Sequence, residues 1–431
     1  MQEAVRVGLL GCGTVGSGVV KILQQNASII ARRAGAPVML ERVLVRDVNK
    51  PRAVDFPAGV LTDNPEEVLD DPKIDIIVEV IGGIEPAGAF IRRALKNGKN
   101  VVTANKDLLA AEWADLMDLA ETRRLDLLFE ASVGGGIPII RPLSESLSAN
   151  RIEQVLGIVN GTTNYVLTEM SEQGKDMAEV LQEAIARGYA EPDPTADITG
   201  LDAARKIAIL GAIAFGAHVQ LEDVSVTGIT SVNARDILYA KELGYVIKLV
   251  GVATEEPEGV EVRVGPVLLP KKHPLAAIRG VHNAIFVRGD AVGEAMFYGL
   301  GAGSLPTASS VISDIVEAVR NLRSSASGRW IQTGLQRKPI LTHTVRSLAY
   351  YLRLEVTDRP GVLAAVAGLL AEYGISLRTV IQRPVDGKAE LVLVTHPCLA
   401  IHLDDAMQRL SGLAEVERVA NCFALEGEEE R

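Results

Sequence analysis

Cysteines, aromatic side chains and long apolar runs are scarce in this chain. Three cysteines occur among 431 residues, at positions 12, 398 and 422, and none belongs to a CxxC pair. This usage fits a reducing compartment and offers no transition-metal motif. The longest apolar run, residues 207–217, is too short for the ~20 residues of a membrane-spanning helix. The sequence therefore predicts a cytoplasmic protein that does not span a membrane.

Blocks of lysine and arginine are missing as well. The formal net charge is −11, which argues against a nucleic-acid partner. With 48% hydrophobic and 23% charged residues, the composition is typical of a globular protein. The length allows two or three domains, each with its own core.

A dinucleotide-binding fingerprint lies near the N-terminus. Residues 5–10 form a short apolar run, residues 11–16 read GCGTVG, and an apolar helical pattern continues to residue 30. In this strand–loop–helix order the glycines let the backbone approach a pyrophosphate at the helix N-terminus. The cofactor contacts predicted in this loop are Gly11, Gly13, Thr14, Val15 and Gly16.

Further alternation of strands and helices predicts a doubly wound sheet, with strands at 38–45, 74–80, 100–103 and 126–129. The second strand ends at Arg46, a residue type that accommodates the 2′-phosphate of NADP, whereas the following Asp47 suits the 2′-hydroxyl of NAD. Lys50 and Arg52 lie nearby, so we expect NADP(H) to be preferred and NAD(H) to be possible. Solvated surface charges are the alternative interpretation.

A glycine run at 134–136 marks the crossing to a second domain, with strands at 154–159, 261–267, 284–287 and 294–298 and a later helix at 306–322. Residues 350–424 alternate as β-α-β-β-α-β, a ferredoxin-like module of about 80 residues. We predict an α/β chain whose Rossmann-type nucleotide-binding domain is followed by an α+β substrate and dimerisation domain and by this module. The acidic end, 426–430, is expected to fray. The predicted bounds are 1–140 with the return helix 305–323, 141–304, a linker at 324–345, and 349–426.

Residues 188–206 (GYAEPDPTADITGLDAARK) are the most unusual stretch of the chain. Asp202 and Lys206 share one face if this stretch ends in a helix, and Glu191 and Asp193 precede them between prolines that stiffen the loop. Such carboxylates and a lysine could hold an ammonium group and move a proton. The residues alone leave a structural alternative open, in which Thr199 caps the helix and Asp202–Lys206 is an ordinary i,i+4 pair.

Read together, these parts resemble homoserine dehydrogenases that carry a C-terminal ACT domain, and the resemblance covers essentially the whole chain. Its motifs are residues 101–106 (VVTANK), 130–138 (EASVGGGIP), 160–165 (NGTTNY), 188–206, 301–308 (GAGSLPTA) and 358–363 (DRPGVL).

The resemblance implies that L-homoserine and L-aspartate 4-semialdehyde are interconverted with a nicotinamide cofactor, in threonine, methionine and isoleucine biosynthesis. Lys206 matches the family's proton donor and acceptor, and Lys106 matches a residue near the nicotinamide and substrate. Glu191 and Asp202 match the homoserine-binding carboxylates. Asp193 and Asp197 receive no role.

The resemblance also implies ligands that composition and spacing do not indicate. Thr103, Gly188 and Gly303 match cofactor contacts. A monovalent cation, Na⁺, would be held chiefly by backbone carbonyls at the positions Glu130, Val133, Gly135 and Ile137. The ACT domain implies L-threonine as a feedback inhibitor, with a purely structural dimerisation module as the alternative, and the family implies a homodimer or homotetramer.

Other functions remain to be compared with this one. A semialdehyde dehydrogenase that forms a thioester needs a nucleophilic cysteine in the second domain, and none lies there. A 2-hydroxy-acid dehydrogenase needs a histidine base, for which His218, after an apolar helix, is a poor candidate. A non-catalytic sensor of nucleotides and amino acids would not need Lys206 and Lys106.

Overall fold

A computed structural model describes residues 3–328, 338–341, 345–385 and 387–427. Residues 329–337 and 342–344, within the predicted linker, and the acidic end after residue 427 lie outside the described residues. Across the part of the chain that is described, no helix is long and apolar enough to cross a membrane.

The strands, in chain order, are β1 (Val5–Leu10), β2 (Val38–Leu44), β3 (Leu61–Thr62), β4 (Ile76–Glu79), β5 (Asn100–Thr103), β6 (Leu127–Leu128), β7 (Ile152–Ile158), β8 (Ser225–Val226), β9 (Tyr245–Glu256), β10 (Gly259–Pro270), β11 (His282–Gly289), β12 (Gly293–Leu300), β13 (Ile340–Leu341), β14 (Ser347–Leu348), β15 (Tyr350–Thr357), β16 (Leu377–Val385), β17 (Lys388–Thr395), β18 (Cys398–Leu399) and β19 (Val416–Leu425).

The α-helices are α1 (Thr14–Gln25), α2 (Ala27–Ala34), α3 (Glu66–Leu69), α4 (Ala87–Lys96), α5 (Lys106–Arg123), α6 (Gly161–Gln173), α7 (Met177–Ala186), α8 (Thr195–Ile198), α9 (Leu201–Phe215), α10 (Ala234–Glu242), α11 (Ser304–Arg323), α12 (Val362–Glu372) and α13 (Ala400–Leu410).

The chain divides into two compact units. The first comprises the described residues of Met1–Ile152, Ala208–Leu221 and Val287–Arg337, and the second those of Glu153–Ile207, Glu222–Phe286 and Lys338–Arg431.

The first unit contains a parallel sheet with the order β3-β2-β1-β4-β5-β6. The buried runs of β1, β4 and β5 are typical of strands that are covered on both faces. Helices α1, α2 and α11 cover one face, and α3, α4 and α5 cover the other. The strand order reverses between β1 and β4, which is where doubly wound sheets bind their ligands. The predicted Rossmann-type architecture is confirmed.

Two local predictions for this unit need correction. The apolar helical pattern through residue 30 is two helices, because the backbone leaves the helical conformation at Asn26 (φ −112°, ψ 19°) between α1 and α2. The edge strand β3 was not predicted, since its two residues are too few to show an alternating pattern.

The second unit is built on a long antiparallel hairpin of β9 and β10. Strand β7 pairs antiparallel with β9 on one side of the hairpin, and β19 pairs parallel with β10 on the other. The sheet continues through β15, β17 and β16, which together with β19, α12 and α13 form the predicted ferredoxin-like module. Strand β10 extends well beyond the predicted 261–267, and β9 was not predicted. Glu426, expected to fray, is instead buried and paired with Arg263.

A buried charge cluster joins the module to α10 within this unit. Arg353 on β15 is 1% exposed, and its guanidinium donates to Asp236 of α10 (2.6 Å) and to Glu390 of β17 (3.0 Å). The Tyr239 hydroxyl of α10 donates to Glu390 (2.9 Å), and Asn421 of β19 donates to Asp236 (2.6 Å). Each charged group therefore has an opposite charge as partner, as burial requires.

Candidate active site

The predicted lysine–carboxylate pair forms at the start of α9. Lys206 Nζ lies 2.6 Å from Asp202 Oδ2 and donates a second hydrogen bond to the Val159 carbonyl oxygen at 2.7 Å. Both side chains are only 13% exposed. The carbonyl lies just beyond the end of β7, so a sheet strand and a helix fix the ammonium together.

Asn160 holds the carboxylate side of this pair. Its side-chain nitrogen donates to Asp202 Oδ2 (2.8 Å) and to Asp197 Oδ1 (2.7 Å), while its side-chain oxygen caps α6 by accepting from Thr163 N (2.8 Å). Sequence reasoning gave Asn160 no role of its own, although an asparagine between a strand and a helix is a signal for a cap. Asp197, which had received no role, fixes Asn160 together with Asp202.

The loop before α9 carries the other predicted residues. Glu191 is exposed there, close in sequence to Tyr189, whose carbonyl accepts from the Thr162 hydroxyl (3.0 Å) and so ties the loop to α6. Asp193 accepts from Thr195 N and Oγ1, and these hydrogen bonds, the hydroxyl first, lower the pKa of its carboxyl. Asp193 thus shapes the loop.

Two glycines and a threonine complete this segment. Gly188 has φ +74°, and nothing lies within 4 Å of where a Cβ would stand. In the structural alternative Thr199 would cap α9, but its hydroxyl donates back to the Thr195 carbonyl (2.7 Å) and Gly200 separates it from the helix. What remains of the structural alternative is the Asp202–Lys206 pair itself, and its burial distinguishes it from an ordinary surface pair.

In the first unit, the glycine loop has the shape that a dinucleotide requires. Gly11 has φ +98°, and a Cβ at Gly16 would stand 2.3 Å from the Gly11 carbonyl oxygen, so the fold itself demands these two glycines. Gly13 is different, since its φ is −82° and nothing lies within 4 Å of a Cβ there. The fold therefore does not require glycine at this position, which is where a pyrophosphate would approach the N-terminus of α1 in a dinucleotide-binding sheet. Thr14 and Val15 begin the helix.

Residues at the ends of β2 and β5 complete the candidate cofactor side. Arg46 is exposed directly after β2, whereas the Arg52 guanidinium turns back onto the carbonyls of Val48 and Lys50. Thr103 is buried at the end of β5. Lys106 is the first residue of α5, which Asn105 caps through Leu108 N (3.1 Å).

The positions predicted to bind a cation lie in a tightly packed loop of the first unit. Both carboxylate oxygens of Glu130 accept backbone N–H groups, from Ile139 and Ile140 and from Arg141. The Gly135 carbonyl accepts from the Ser310 hydroxyl (2.7 Å). Gly135 also has φ +54°, and a Cβ there would stand 2.4 Å from the Gly301 carbonyl oxygen.

This donor set is chemically suited to a hard monovalent cation, because it offers oxygen ligands. Val133 and Ile137 would contribute backbone carbonyls, and among the described residues no group of three or more His, Cys, Asp or Glu side chains could hold a metal ion. Nearby, burial and the Glu130 carboxylate raise the pKa of Asp314 to about 8. Gly303, with φ +122°, precedes α11.

A buried lysine of β9 fixes α6 to the sheet of the second unit. Lys248 on β9 donates to Asn164 Oδ1 (2.7 Å) and to the Ile278 carbonyl oxygen (2.5 Å). The Asn164 side-chain nitrogen in turn donates to the carbonyls of Gly280 and His282. Burial lowers the pKa of Lys248 to about 8. Helix α6, which begins beside Asn160, is therefore fixed to the sheet one turn further on.

Family models match most of the chain. A model of the NAD binding domain of homoserine dehydrogenase matches residues 11–130, a model of homoserine dehydrogenase matches residues 138–316, and a model of the ACT domain matches residues 350–415.

Full-length relatives show the same similarity. The chain is 45% identical over 429 residues to the homoserine dehydrogenase of Bacillus subtilis, with 99% of each chain covered. It is 43% identical over 431 residues to that of Corynebacterium glutamicum, with 98% of this chain and 96% of the relative covered.

Solved structures agree. A homoserine dehydrogenase from Thiobacillus denitrificans superposes with a TM-score of 0.94 at 44% identity and covers 98% of both chains. A hyperthermophilic archaeal homoserine dehydrogenase in complex with NADPH has a TM-score of 0.63 at 29% identity, over 73% of this chain and 98% of that one.

The buried amine of Lys248 predicts a pH dependence of stability. Its pKa is about 8 in the folded chain against 10.5 for the free side chain, so the unfolded chain binds more protons above pH 8 and this lysine makes stability rise with pH. Below pH 8 the folded chain bears the whole cost of burying the charged amine. Between pH 7 and 9.5 that cost falls, so we expect the free energy of unfolding of the wild type to rise by about 2 kcal/mol relative to that of Lys248→Met.

Urea unfolding of both proteins across this pH range measures the difference, because every other titrating group is shared. The exposed Lys271, whose Nζ donates to the Lys241 carbonyl, provides the control variant Lys271→Met, which should follow the wild type at every pH. If the free energies of unfolding of wild type and Lys248→Met differ by the same amount at every pH, the lowered pKa of Lys248 is contradicted.

Proposed function

Because the chain belongs to the homoserine dehydrogenase family, we propose that it interconverts L-homoserine and L-aspartate 4-semialdehyde with a nicotinamide cofactor. The observation that carries the proposal is the Asn160–Asp202–Lys206 arrangement, in which a largely buried ammonium has a fixed orientation on the helix that follows the loop with Glu191. The threonine, methionine and isoleucine pathways would use this reaction chiefly as a reduction.

Lys206 is the proposed proton donor. An ammonium has three hydrogens, and two of them are directed at Asp202 and the Val159 carbonyl, so the third can meet the oxygen of the substrate. In the reduction, the aldehyde carbon receives a hydride and its oxygen becomes negative; this oxygen then takes a proton from Lys206 and becomes the hydroxyl. The reverse reaction returns the proton to Lys206. The nicotinamide cofactor, when bound, would supply the hydride in its reduced form and accept it in its oxidised form.

Substrate orientation is assigned to the carboxylates and to Lys106. The α-ammonium of the substrate is a cation, and charge-assisted hydrogen bonds to Glu191 and Asp202 suit it. Asp202 would then connect the substrate to Lys206, which explains why one carboxylate is held by both Asn160 and a lysine. Lys106, at the start of α5, is proposed to lie near the nicotinamide.

Binding sites for the cofactor and the cation are proposed from the matching motifs and the geometry of the first unit. The glycine loop would hold the pyrophosphate, with Thr103, Gly188 and Gly303 as further contacts. Arg46 supports NADP(H) as the preferred cofactor, and the archaeal relative was solved with NADPH. The Na⁺ site is proposed at Glu130, Val133, Gly135 and Ile137. We keep the predicted domain bounds and propose a homodimer or homotetramer. The free cysteines support a cytoplasmic location.

Replacement of Lys206 by alanine tests the reaction directly. We expect kcat to fall by roughly 10²–10⁴-fold, because the proton donor is lost, while NADPH binding measured by fluorescence stays unchanged. The exposed Lys271 again provides the control, Lys271→Ala, which should keep the wild-type rate. Full turnover by Lys206→Ala would refute the role of this lysine, and a wild type without turnover of homoserine and NADP would favour a sensor.

The cofactor preference is tested at Arg46. We expect a higher kcat/KM with NADP than with NAD, and Arg46→Glu should lower kcat/KM for NADP by roughly 10–100-fold, the effect of one charge-assisted hydrogen bond, with little loss for NAD. Arg32→Glu makes the same charge change at an exposed position of α2 and should leave the ratio unchanged. If wild type and Arg46→Glu have the same ratio of kcat/KM for NADP to kcat/KM for NAD, Arg46 does not contact the 2′-phosphate.

Feedback inhibition is tested by adding threonine. The loop at 358–361 precedes α12, whose N-terminal N–H groups could receive a carboxylate. We expect millimolar L-threonine to raise the apparent KM or lower the rate, whereas D-threonine should have no effect. Equal rates with and without L-threonine would leave the ACT domain as a structural module.

A further inference from the structure

Glu79, the last residue of β4, is a buried carboxylate that the proposed reaction does not use. Its side chain is fully buried, and within the described part of the chain its hydrogen-bond donors are all neutral. Oε1 accepts from Ile81 N (2.7 Å) and Gly82 N (3.1 Å), and Oε2 accepts from the Thr103 hydroxyl (2.6 Å). A buried charge is costly unless it is hydrogen-bonded, so these contacts are the reason that it can stand here.

The first pair of contacts fixes the segment on which the glycine loop rests. A Cβ at Gly11 would stand 3.1 Å from the Val80 carbonyl oxygen and 3.3 Å from Ile81 Cγ1. The backbone of the loop therefore lies directly against residues 80 and 81. Because Glu79 holds the N–H groups of Ile81 and Gly82, it sets the position of the surface that supports the glycine loop.

The second contact connects this segment to the loop after β5. The Thr103 hydroxyl, which donates to Glu79, accepts from Asn105 N (3.1 Å). The Asn105 side chain donates to the Gly83 carbonyl (2.7 Å) and caps α5. Glu79, Thr103, Asn105 and Gly83 thus close a ring of hydrogen bonds between the loops that follow β4 and β5.

This ring lies at the carboxyl edge of the sheet, where the strand order reverses between β1 and β4 and where doubly wound sheets bind nucleotides. We propose that Glu79 is a positioning residue for the nicotinamide dinucleotide, acting through the glycine loop on one side and through Thr103 and the start of α5, with Lys106, on the other. The inference rests on dinucleotide binding by this unit, and it does not depend on the identity of the substrate.

Glu79→Gln keeps the shape and removes the charge. Its amide nitrogen would face the Thr103 hydroxyl and donate to it, so the hydroxyl proton loses its acceptor and the ring loses its charge-assisted hydrogen bond. We expect the Kd for NADPH, measured by fluorescence titration, to rise at least 10-fold, while KM for homoserine at saturating NADP changes less than 2-fold.

Asp126→Asn is the matched control. Asp126 is also a buried carboxylate of this sheet, held by the neutral donors Asn321 Nδ2 (3.1 Å) and Gly328 N (2.6 Å), but it precedes β6 at the opposite edge. Its variant should lose thermal stability as Glu79→Gln does and keep the wild-type Kd for NADPH. Thr103→Val, which removes the hydroxyl at nearly constant volume, should also weaken NADPH binding. If both residues act through the same ring, the double variant with Glu79→Gln should bind NADPH as well as the weaker-binding single variant.

The proposal is overturned if folded Glu79→Gln binds NADPH within 2-fold of the wild type, or if Asp126→Asn weakens binding equally. If Glu79→Gln does not fold, Thr103→Val decides alone, and wild-type affinity in that variant refutes the role of the ring. A wild type that binds NADPH without turning over homoserine contradicts the proposed reaction and leaves this test readable.

Discussion

The candidate site depends on one interaction, the attachment of the Lys206 ammonium to a buried carboxylate and to a carbonyl just beyond the end of a strand. Lysine has a long flexible side chain, and holding it costs rotamer entropy. Asp202 and the Val159 carbonyl offset that cost in a site that is nearly closed to water. Asn160 holds Asp202, and Asn164 and Lys248 hold the helix that begins beside Asn160. The contacts of α6 thus fix Asn160, Asn160 fixes Asp202, and Asp202 fixes Lys206.

Much of the fold could be predicted because its strands are short buried runs next to glycine turns. Strands β1 and β5 have the predicted bounds, and the order of elements in the ferredoxin-like module is confirmed. Strand β9 was missed because it is buried on both faces through most of its length, which removes the alternation that identifies a strand. The break at Asn26 was missed because the apolar pattern continues across it.

Some contacts of the candidate site could likewise be predicted from the sequence, and others could not. The Asp202–Lys206 pair could be predicted because both residues lie on one helix, where spacing alone sets their distance. The contacts of Asn160 with Asp202 and of Glu79 with Thr103 could not, because these partners lie 42 and 24 positions away in the sequence and meet only in the folded chain. The family resemblance, now confirmed by full-length relatives, indicated Asn160 as part of a motif without saying what it contacts. The roles of Glu191 and Lys106 stay predictions.

Helix α11 has a consequence for how the chain folds during synthesis. Its residues Val311 and Ile315 fill the apolar layer against α1 on one face of the nucleotide-binding sheet, yet α11 begins at Ser304, long after β6 ends at Leu128. At roughly 10 residues per second, the ribosome needs on the order of 15–20 seconds to deliver that helix. Throughout this interval the face that α1 and α2 already cover lacks the remaining helix of its layer, so the nascent chain exposes apolar surface to aggregation and to chaperones until α11 has left the ribosome.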